Sequence, residues 1–217
     1  PAATLHETIP QFHDTPNRYA QLDAAIAADV KGRLKEVGPE IDFVMARREE
    51  AATMMNMLKA GELPLRVTHN DTKLNNVMLD AKTRKPLCVI DLDTVMPGLA
   101  ANDFGDSIRF GASTALEDEK DLSKVSMSLD LYTAYARGYL SACRNLTKNE
   151  LETLPMGAKL MTLECGVRFL SDYLAGDVYF RTTRPEHNLD RCCTQFKLVA
   201  SMEQQWADMA RVIREIG

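Results

Sequence analysis

Side chains able to act on a hydroxyl group and on a metal ion are concentrated between residues 69 and 91. The stretch has the form H-x-D-x-x-x-x-N, from His69 through Asp71 to Asn76, and Asp91 follows at the end of an apolar run. Phosphoryl transfer asks a protein for a group that orients and deprotonates the acceptor hydroxyl, and for ligands to the metal that bridges the phosphates. The spacing therefore predicts a phosphoryl-transfer site. Because Asn and Asp are also common in turns, a chance loop is the alternative.

Each polar residue of this stretch has an expected role. We expect Asp71 to be the general base, and we expect Asn76 and Asp91 to bind Mg²⁺, because hard oxygen donors suit a cation that keeps several waters. Lys73, two residues after the base, is expected to neutralise charge on the transferring group. His69 is expected to brace the loop by hydrogen bonding.

Short β-favouring runs surround the catalytic stretch, and helical patterns fill the rest of the chain. The predicted strands are 63–68, 76–80 and 86–91, and the predicted helices are 17–36, 39–60, 128–144, 148–174 and 188–215. Residues 1–15 show no such pattern and are predicted to be a tether or loop. The expected fold class for residues 16–217 is α+β, mostly helical with a small β-hairpin carrying the catalytic loop.

Composition narrows the class of protein. The 217 residues are 45% apolar and 26% charged with a net charge of −5, which is typical of a globular domain and offers no basic stripe for nucleic acid. Five cysteines without C-x-x-C pairing predict neither a zinc site nor a disulfide framework. Since neither a membrane span nor a secretory signal is recognisable, we expect a cytoplasmic protein with no membrane partner. A chain that opens at Pro1 is expected to be the remainder of a longer one.

The quoted stretch resembles the aminoglycoside phosphotransferase and choline kinase superfamily, and within it the bacterial N-acetylhexosamine 1-kinases. The resemblance covers nearly all of the chain. It is carried by His69 to Asn76, Ile90 to Thr94, Asp103 to Gly111, Ala115 to Leu122, Glu164 to Leu170 and Pro185 to Leu189.

This resemblance implies the fold of a protein-kinase-like C-terminal lobe and transfer of the γ-phosphoryl group of ATP, with Mg²⁺, to the anomeric hydroxyl of GlcNAc or GalNAc. By position it makes Asp71 the base and Asn76 and Asp91 the metal ligands, and it places Arg168 and Tyr179 where sugar contacts are expected. Such kinases carry an N-terminal nucleotide lobe. No Gly-rich loop precedes Asp71 here, so that lobe is expected to be absent and the chain alone to be weakly active or inactive.

Several alternatives stay open at this point. Asp172, with Arg168 and Tyr179, is expected to bind the sugar, although Arg168 and Asp172 are four residues apart and an ion pair on one helix face competes with that role. Asp103 is expected either to cap a helix or to hydrogen-bond the catalytic loop. The acceptor could instead be an aminoglycoside, homoserine or choline, and a lobe that binds ligand without turnover is a further alternative. The sequence predicts no oligomeric state.

Overall fold

The structure is a computed structural model, and it describes residues 2–217. Most of these residues are helical, and they form nine α-helices and four short β-strands. The helices are α1 Thr15–Ala28, α2 Gly38–Met45, α3 Arg48–Ala51, α4 Thr53–Lys59, α5 Ala100–Gly111, α6 Leu129–Ala142, α7 Lys148–Ala175, α8 His187–Gln204 and α9 Trp206–Ile216. The strands are β1 Arg66–Thr68, β2 Val77–Leu79, β3 Pro86–Val89 and β4 Met96–Gly98.

Helix α7 is the axis of the fold, and α1, α5, α8 and α9 pack around it. It begins with a capping box in which the Thr147 hydroxyl accepts from the Glu150 amide and the Glu150 carboxylate accepts from the Thr147 amide. Its apolar residues, such as Leu163 and Val167, are fully buried. Because neighbours cover it on several sides, α7 is apolar around most of its circumference.

Helices α5 and α7 approach each other closely at two glycines. A Cβ atom added to Gly105 would lie 2.3 Å from the carbonyl oxygen of Gly157, and one added to Gly157 would lie 2.2 Å from that of Ala101. The absence of side chains at these two positions therefore sets how near α5 comes to α7. Phe104, beside this contact, is fully buried, so the Asp103-Phe104-Gly105 triplet packs as part of a helix.

Three of the predicted helices are shorter or more broken than their apolar periodicity indicated. The first ends at Ala28, where Asp29 adopts a left-handed conformation. The segment 39–60 is divided into α2, α3 and α4. The first break is at Arg47, whose amide donates to the Val44 carbonyl and whose side chain donates to the Phe43 carbonyl. The last helical segment breaks at Gln205, between α8 and α9.

Two separate antiparallel ribbons frame the catalytic stretch. Strand β1 pairs with β4, placing Thr68 opposite Met96, and β2 pairs with β3, placing Val77 opposite Val89. Residues 69–76 join β1 to β2, so they connect the two ribbons and precede the hairpin formed by β2 and β3. The prediction of small antiparallel strands in a mostly helical fold is thus confirmed. The loop, however, lies between two ribbons, and not within the single hairpin that was predicted to carry it. None of the helices within 2–217 is both long and apolar enough to cross a membrane.

Candidate active site

The side chains of Asp71, Lys73 and Asn76 converge within the loop that follows β1. Lys73 Nζ donates to Asp71 Oδ2 over 2.7 Å, and Asn76 Nδ2 donates to the same oxygen over 2.9 Å and to the Asp71 carbonyl over 2.8 Å. The loop closes on itself because residues 74–76 form a 3-10 turn that brings Asn76 back towards Asp71. Both amide hydrogens of Asn76 are therefore engaged, and its Oδ1 is the atom left for another partner.

His69 connects the start of the loop to the strand end that precedes Asp91. Its Nδ1 accepts from the Asp71 amide over 3.3 Å, so that Nε2 carries the hydrogen and donates to the Ile90 carbonyl over 3.0 Å. The Ile90 amide in turn donates to the Asn76 carbonyl over 2.9 Å. These bonds place the backbone of Asp91 next to both ends of the loop.

Asp91 is exposed and has a left-handed backbone, with a φ of 64°. Its carboxylate takes part in no hydrogen bond or ion pair with residues 2–217, although the residue starts the 3-10 turn Leu92–Thr94. Asp and Asn reach this conformation more readily than other non-glycine residues. The carboxylate at the mouth of the loop is therefore available to a ligand.

Asp103, in the first turn of α5, holds the loop by its backbone. Its two carboxylate oxygens accept the amides of His69 over 2.9 Å and Asn70 over 2.7 Å. The Thr72 hydroxyl donates to the Asp103 carbonyl over 2.6 Å, and one turn further along α5 the Ser107 hydroxyl donates to the Thr72 carbonyl over 3.2 Å. Of the two expected roles of Asp103, the structure shows the hydrogen bond to the loop. Burial raises the pKa of the Asp103 carboxyl, and the two amides act in the opposite direction.

Asn70 is buried beneath the loop with a φ of 64°. Its side chain accepts from the Thr68 hydroxyl over 3.0 Å and donates to the Thr94 carbonyl over 3.0 Å, so it joins β1 to the turn after Asp91. This packing requires a glycine at position 98 of β4, because an added Cβ would lie 2.3 Å from Thr68 Oγ1 and 2.7 Å from Asn70 Oδ1. Asn70 therefore acts as an internal brace of the loop.

His13, in the segment before α1, contacts the same loop through an interaction that the sequence did not indicate. His13 Nε2 donates to the Asn70 carbonyl over 2.9 Å, and His13 Nδ1 lies 2.8 Å from Glu164 Oε1 on α7. The Thr15 hydroxyl donates to the other oxygen of Glu164 over 2.7 Å. The signal available in the sequence was Glu164 itself, since a carboxylate among the core residues of a buried helix needs a partner.

The pKa values of this buried pair move in the directions expected for an ion pair. Burial alone would lower the pKa of His13, but Glu164 and the Asn70 carbonyl outweigh it and raise the pKa. Burial alone would raise the pKa of Glu164, but His13 and the Thr15 hydroxyl lower it. The network thus links α7, α1 and the catalytic loop electrostatically.

The residues expected to bind a sugar lie on α7 and the turn after it. Arg168 stands over the rings of Phe12, Tyr179 and Phe180, at 5.7, 5.8 and 5.3 Å from their centroids. Tyr179 is exposed, and with Arg168 and Phe12 it lines a cavity of about 470 Å³. Arg168 is one helical turn from Glu164, so this cavity begins beside the network that supports Asn70.

Asp172 has a different role from the one expected. Its oxygens accept the amides of Val178 (2.9 Å), Tyr179 (2.8 Å) and Phe180 (3.0 Å), and the side chain of Asn188 (2.8 Å). Four donors fill the lone-pair directions of one carboxylate, which leaves none for a sugar hydroxyl and explains why Asp172 makes no ion pair with Arg168. Asp172 therefore fixes the turn that presents Tyr179, and its direct binding of a sugar stays a prediction.

The sequence model of the phosphotransferase enzyme family, APH, matches residues 2–142. The matched region contains the catalytic loop, Asp91 and Asp103, and it covers more than half of the 217 residues. Together with a mostly helical fold that brings Asp71, Lys73 and Asn76 into one loop, this match shows that the chain belongs to the phosphotransferase enzyme family.

Proposed function

We propose that the chain transfers the γ-phosphoryl group of ATP to the anomeric hydroxyl of an N-acetylhexosamine. The observation that carries the proposal is the Asp71 carboxylate, held at one oxygen by Lys73 and Asn76 in a loop that Asp103 fastens to α5. Family membership supports phosphotransfer. The choice of acceptor rests on the resemblance to N-acetylhexosamine 1-kinases and on the cavity beside Arg168 and Tyr179.

Asp71 is proposed to orient and deprotonate the acceptor hydroxyl. Lys73 and Asn76 both donate to Oδ2, so Oδ1 is the oxygen left to accept from a hydroxyl group. A carboxylate fixed in this way makes a positioned general base, and phosphoryl transfer depends mainly on such positioning and on charge neutralisation. Lys73, whose ammonium group is partly exposed beside Asp71, is suited to stabilise negative charge on the transferring group.

Asn76 and Asp91 are the residues proposed to hold Mg²⁺. Asn76 Oδ1 has no other partner once both of its amide hydrogens bond to Asp71, and the Asp91 carboxylate is likewise unpaired within residues 2–217. One carbonyl and one carboxylate oxygen fit a cation that completes its shell with water and substrate phosphate. When bound, Mg²⁺ would neutralise the phosphate oxygens of the nucleotide.

We further propose that a nucleotide-binding lobe packs on the outer faces of β2 and β3, and that full activity requires it. These strands and their flanks expose an unusual number of large apolar side chains: Leu74, Met78, Leu79, Leu87, Val89 and Leu92. An exposed apolar area of this kind marks a ligand or protein contact. A cytoplasmic location is proposed because ATP is the donor and all five cysteines are free thiols.

The test is a phosphoryl-transfer assay of the full-length enzyme with MgATP and a panel of acceptors: GlcNAc, GalNAc, an aminoglycoside, homoserine and choline. We expect turnover with an N-acetylhexosamine and a loss of about 10²–10⁴-fold in kcat for Asp71→Asn. Asp121→Asn, at an exposed turn, is the control and should leave turnover unchanged. Near-normal turnover of Asp71→Asn would remove Asp71 from its role.

Two other outcomes would redirect the proposal. A preference for a non-sugar acceptor would keep the phosphotransferase and change its substrate. Calorimetric binding of GlcNAc without any product, in the same enzyme, would favour a lobe that binds ligand without turnover.

A further inference from the structure

Two arginines, Arg18 on α1 and Arg168 on α7, line the cavity of about 470 Å³ that Tyr179 also lines. Neither forms an ion pair with a carboxylate of residues 2–217. Arg168 stands over three aromatic rings, and Arg18 bonds to the Gln21 side chain and to the Phe12 carbonyl, which are neutral groups. A charge that is partly withdrawn from water normally has a counter-charge, so the fold alone does not explain this pair.

Arg18 is partly buried and keeps unused hydrogen-bond donors. Its Nη1 donates to Gln21 Oε1 over 3.0 Å and its Nη2 donates to the Phe12 carbonyl, while its Nε is buried without a partner. A guanidinium has five N–H donors, so three of them have no acceptor in the described part of the chain. Burial lowers the pKa of Arg18 and the nearby Arg168 guanidinium lowers it further, although Glu164 acts in the opposite direction. The surroundings therefore supply less negative charge than Arg18 requires.

Arg168 keeps its N–H donors free as well. Its guanidinium carbon lies 5.7, 5.8 and 5.3 Å from the ring centroids of Phe12, Tyr179 and Phe180, and it donates to no oxygen of residues 2–217. Cation–π contacts attract the charge of a guanidinium but use none of its N–H donors. A fork of free donors therefore stands beside an apolar wall of aromatic rings.

Three acids in the surroundings of the two arginines have other partners. Glu164 is paired with His13, and Asp14 caps α1. Asp172, which also lines the cavity, accepts the backbone amides of residues 178–180. The two guanidinium groups thus remain without a paired carboxylate, and unlike charges attract strongly where water is partly excluded. The cavity therefore suits a ligand with an anionic group.

The arginines adjoin the catalytic loop without belonging to it. Arg168 is one helical turn from Glu164, whose partner His13 donates to the Asn70 carbonyl of the loop. Phe12 lines the arginine cavity and also a cavity of about 350 Å³ that extends to Asn70. The arginines therefore suit a part of the acceptor other than the hydroxyl that receives the phosphoryl group.

We propose that Arg18 and Arg168 bind an oxyanion, carboxylate or phosphate, which the acceptor carries away from its anomeric carbon. The preferred acceptor is then an acidic hexosamine, with the acid at a position such as C6. The inference rests on the proposed function for the acceptor being an N-acetylhexosamine. It assigns the choice between acidic and neutral sugars to a residue of α1, outside the catalytic loop.

The chemistry of the cavity fits such a ligand on two counts. The guanidinium fork matches the geometry of carboxylate and phosphate groups, to which it can donate two parallel hydrogen bonds. The rings of Phe12 and Tyr179 offer the apolar surface against which the face of a sugar packs, in a cavity large enough for a small molecule. A site built to bond a substrate group discriminates against the analogue that lacks it, because its polar atoms are then left unpaired.

The test compares GlcNAc 6-phosphate, N-acetylglucosaminuronic acid and GlcNAc by titration calorimetry in the unmodified chain and in Arg18→Gln. We expect the unmodified chain to bind one of the two acidic sugars about tenfold or more tightly than GlcNAc, and Arg18→Gln to lose most of that ratio. The acidic sugar that binds more tightly identifies the oxyanion as phosphate or carboxylate. Arg211→Gln is the control and should preserve the ratio, because Arg211 is exposed on α9 and paired with Asp208.

A second measurement does not depend on the variant folding. In the unmodified chain, the Nε–H resonance of Arg18 should shift on titration with the preferred acidic sugar and shift less with GlcNAc. Added salt should weaken the binding of the acidic sugar more than the binding of GlcNAc, because ions screen the attraction between charges.

The outcomes separate this inference from the proposed reaction. Equal affinities for the three sugars, no binding of any of them, an unchanged ratio in Arg18→Gln, or an Arg18 resonance that stays in place would each overturn the inference. Phosphoryl transfer is scored separately with MgATP. Turnover of GlcNAc with equal affinities would keep the reaction and reject this site, whereas tighter, Arg18-dependent binding of an acidic sugar without transfer to any sugar would keep the site and reject the reaction.

Discussion

Replacing Asp103 by Asn tests whether α5 positions the catalytic loop. The carboxylate accepts the amides of His69 and Asn70 at 2.9 and 2.7 Å, and an asparagine would offer one acceptor oxygen and turn an NH₂ group towards the other amide. Hydrogen bonds to a charged group contribute about 1.5–3 kcal/mol each, so the two together give about 3–6 kcal/mol. Burial raises the pKa of Asp103 in spite of the two amides, so the cost of burying the carboxylate cancels most of this gain. The expected loss of up to about 3 kcal/mol arises instead from the buried amide that faces the asparagine NH₂ group and is left without an acceptor.

That loss has two measurable consequences. For a chain of this size it corresponds to a fall in Tm of about 6–12 °C. If the loop is displaced in the folded enzyme, the same energy corresponds to about a 100-fold lower kcat, with a smaller change in KM because the substrate contacts are retained. Native-state hydrogen exchange should also show faster exchange of the His69 and Asn70 amides.

The control is Asp121→Asn in the exposed turn between α5 and α6. Asp121 also accepts a backbone amide, from Ser123 over 3.2 Å, and the Ser123 hydroxyl over 2.6 Å, but it is exposed and lies well outside residues 69–76. Its replacement should leave kcat and the exchange of the His69 and Asn70 amides unchanged. Unaltered Tm, kcat and amide exchange in Asp103→Asn would refute the positioning role.

Two further predictions concern the supports of the loop and of the core. Glu164 and the Asn70 carbonyl raise the pKa of His13 above its usual 6.5. The stabilisation from this pair is therefore complete below pH 6.5 and is lost as the pH rises through the folded-state pKa. The unfolding free energy measured in urea from about pH 5.5 to about pH 8.5 should show this decline, and His13→Gln should flatten it. An identical slope in both proteins would contradict the pairing. Gly105→Ala should lower the unfolding free energy by about 3 kcal/mol, because its Cβ would overlap the Gly157 carbonyl at 2.3 Å. Gly138→Ala, which has open space around its Cβ, should raise the unfolding free energy by about 1 kcal/mol. Equal effects of the two substitutions would show that helix propensity alone determines the result.

The convergence of Asp71 and Asn76 in one loop could be predicted from the sequence, because their side chains suit the proposed phosphoryl-transfer roles and their spacing fits one loop. Asp71, Asn76 and Asp91 also stand in an order that a loop followed by a hairpin can bring together. For Asp103 the sequence left two roles open, a helix cap and a hydrogen bond to the loop, since a carboxylate in the first turn of a helix can serve either role.

Contacts between distant parts of the chain were the features that sequence patterns missed. His13 and Glu164 are separated by 151 residues, and no local periodicity couples them. Asp172 was expected to bind the sugar because it lies with Arg168 and Tyr179 in a region that combines polar and aromatic side chains. The three backbone amides of residues 178–180 that bond to it cannot be recognised from residue types. The predicted lengths of these helices were similarly too great, because the breaks at Arg47 and Gln205 coincide with side chains that donate to backbone carbonyls.

The left-handed backbones of Asn70 and Asp91 restrict which substitutions can be interpreted at the site. Both have a φ of 64°, a conformation that costs most side chains free energy before any chemistry is considered. Alanine scanning at these positions would therefore report backbone strain mixed with lost function. Asp91→Asn, which tolerates the same backbone, isolates the negative charge, and Asn70→Gly isolates the side-chain hydrogen bonds. A mutational survey of this loop separates backbone strain from loss of function only when each replacement tolerates the native backbone conformation.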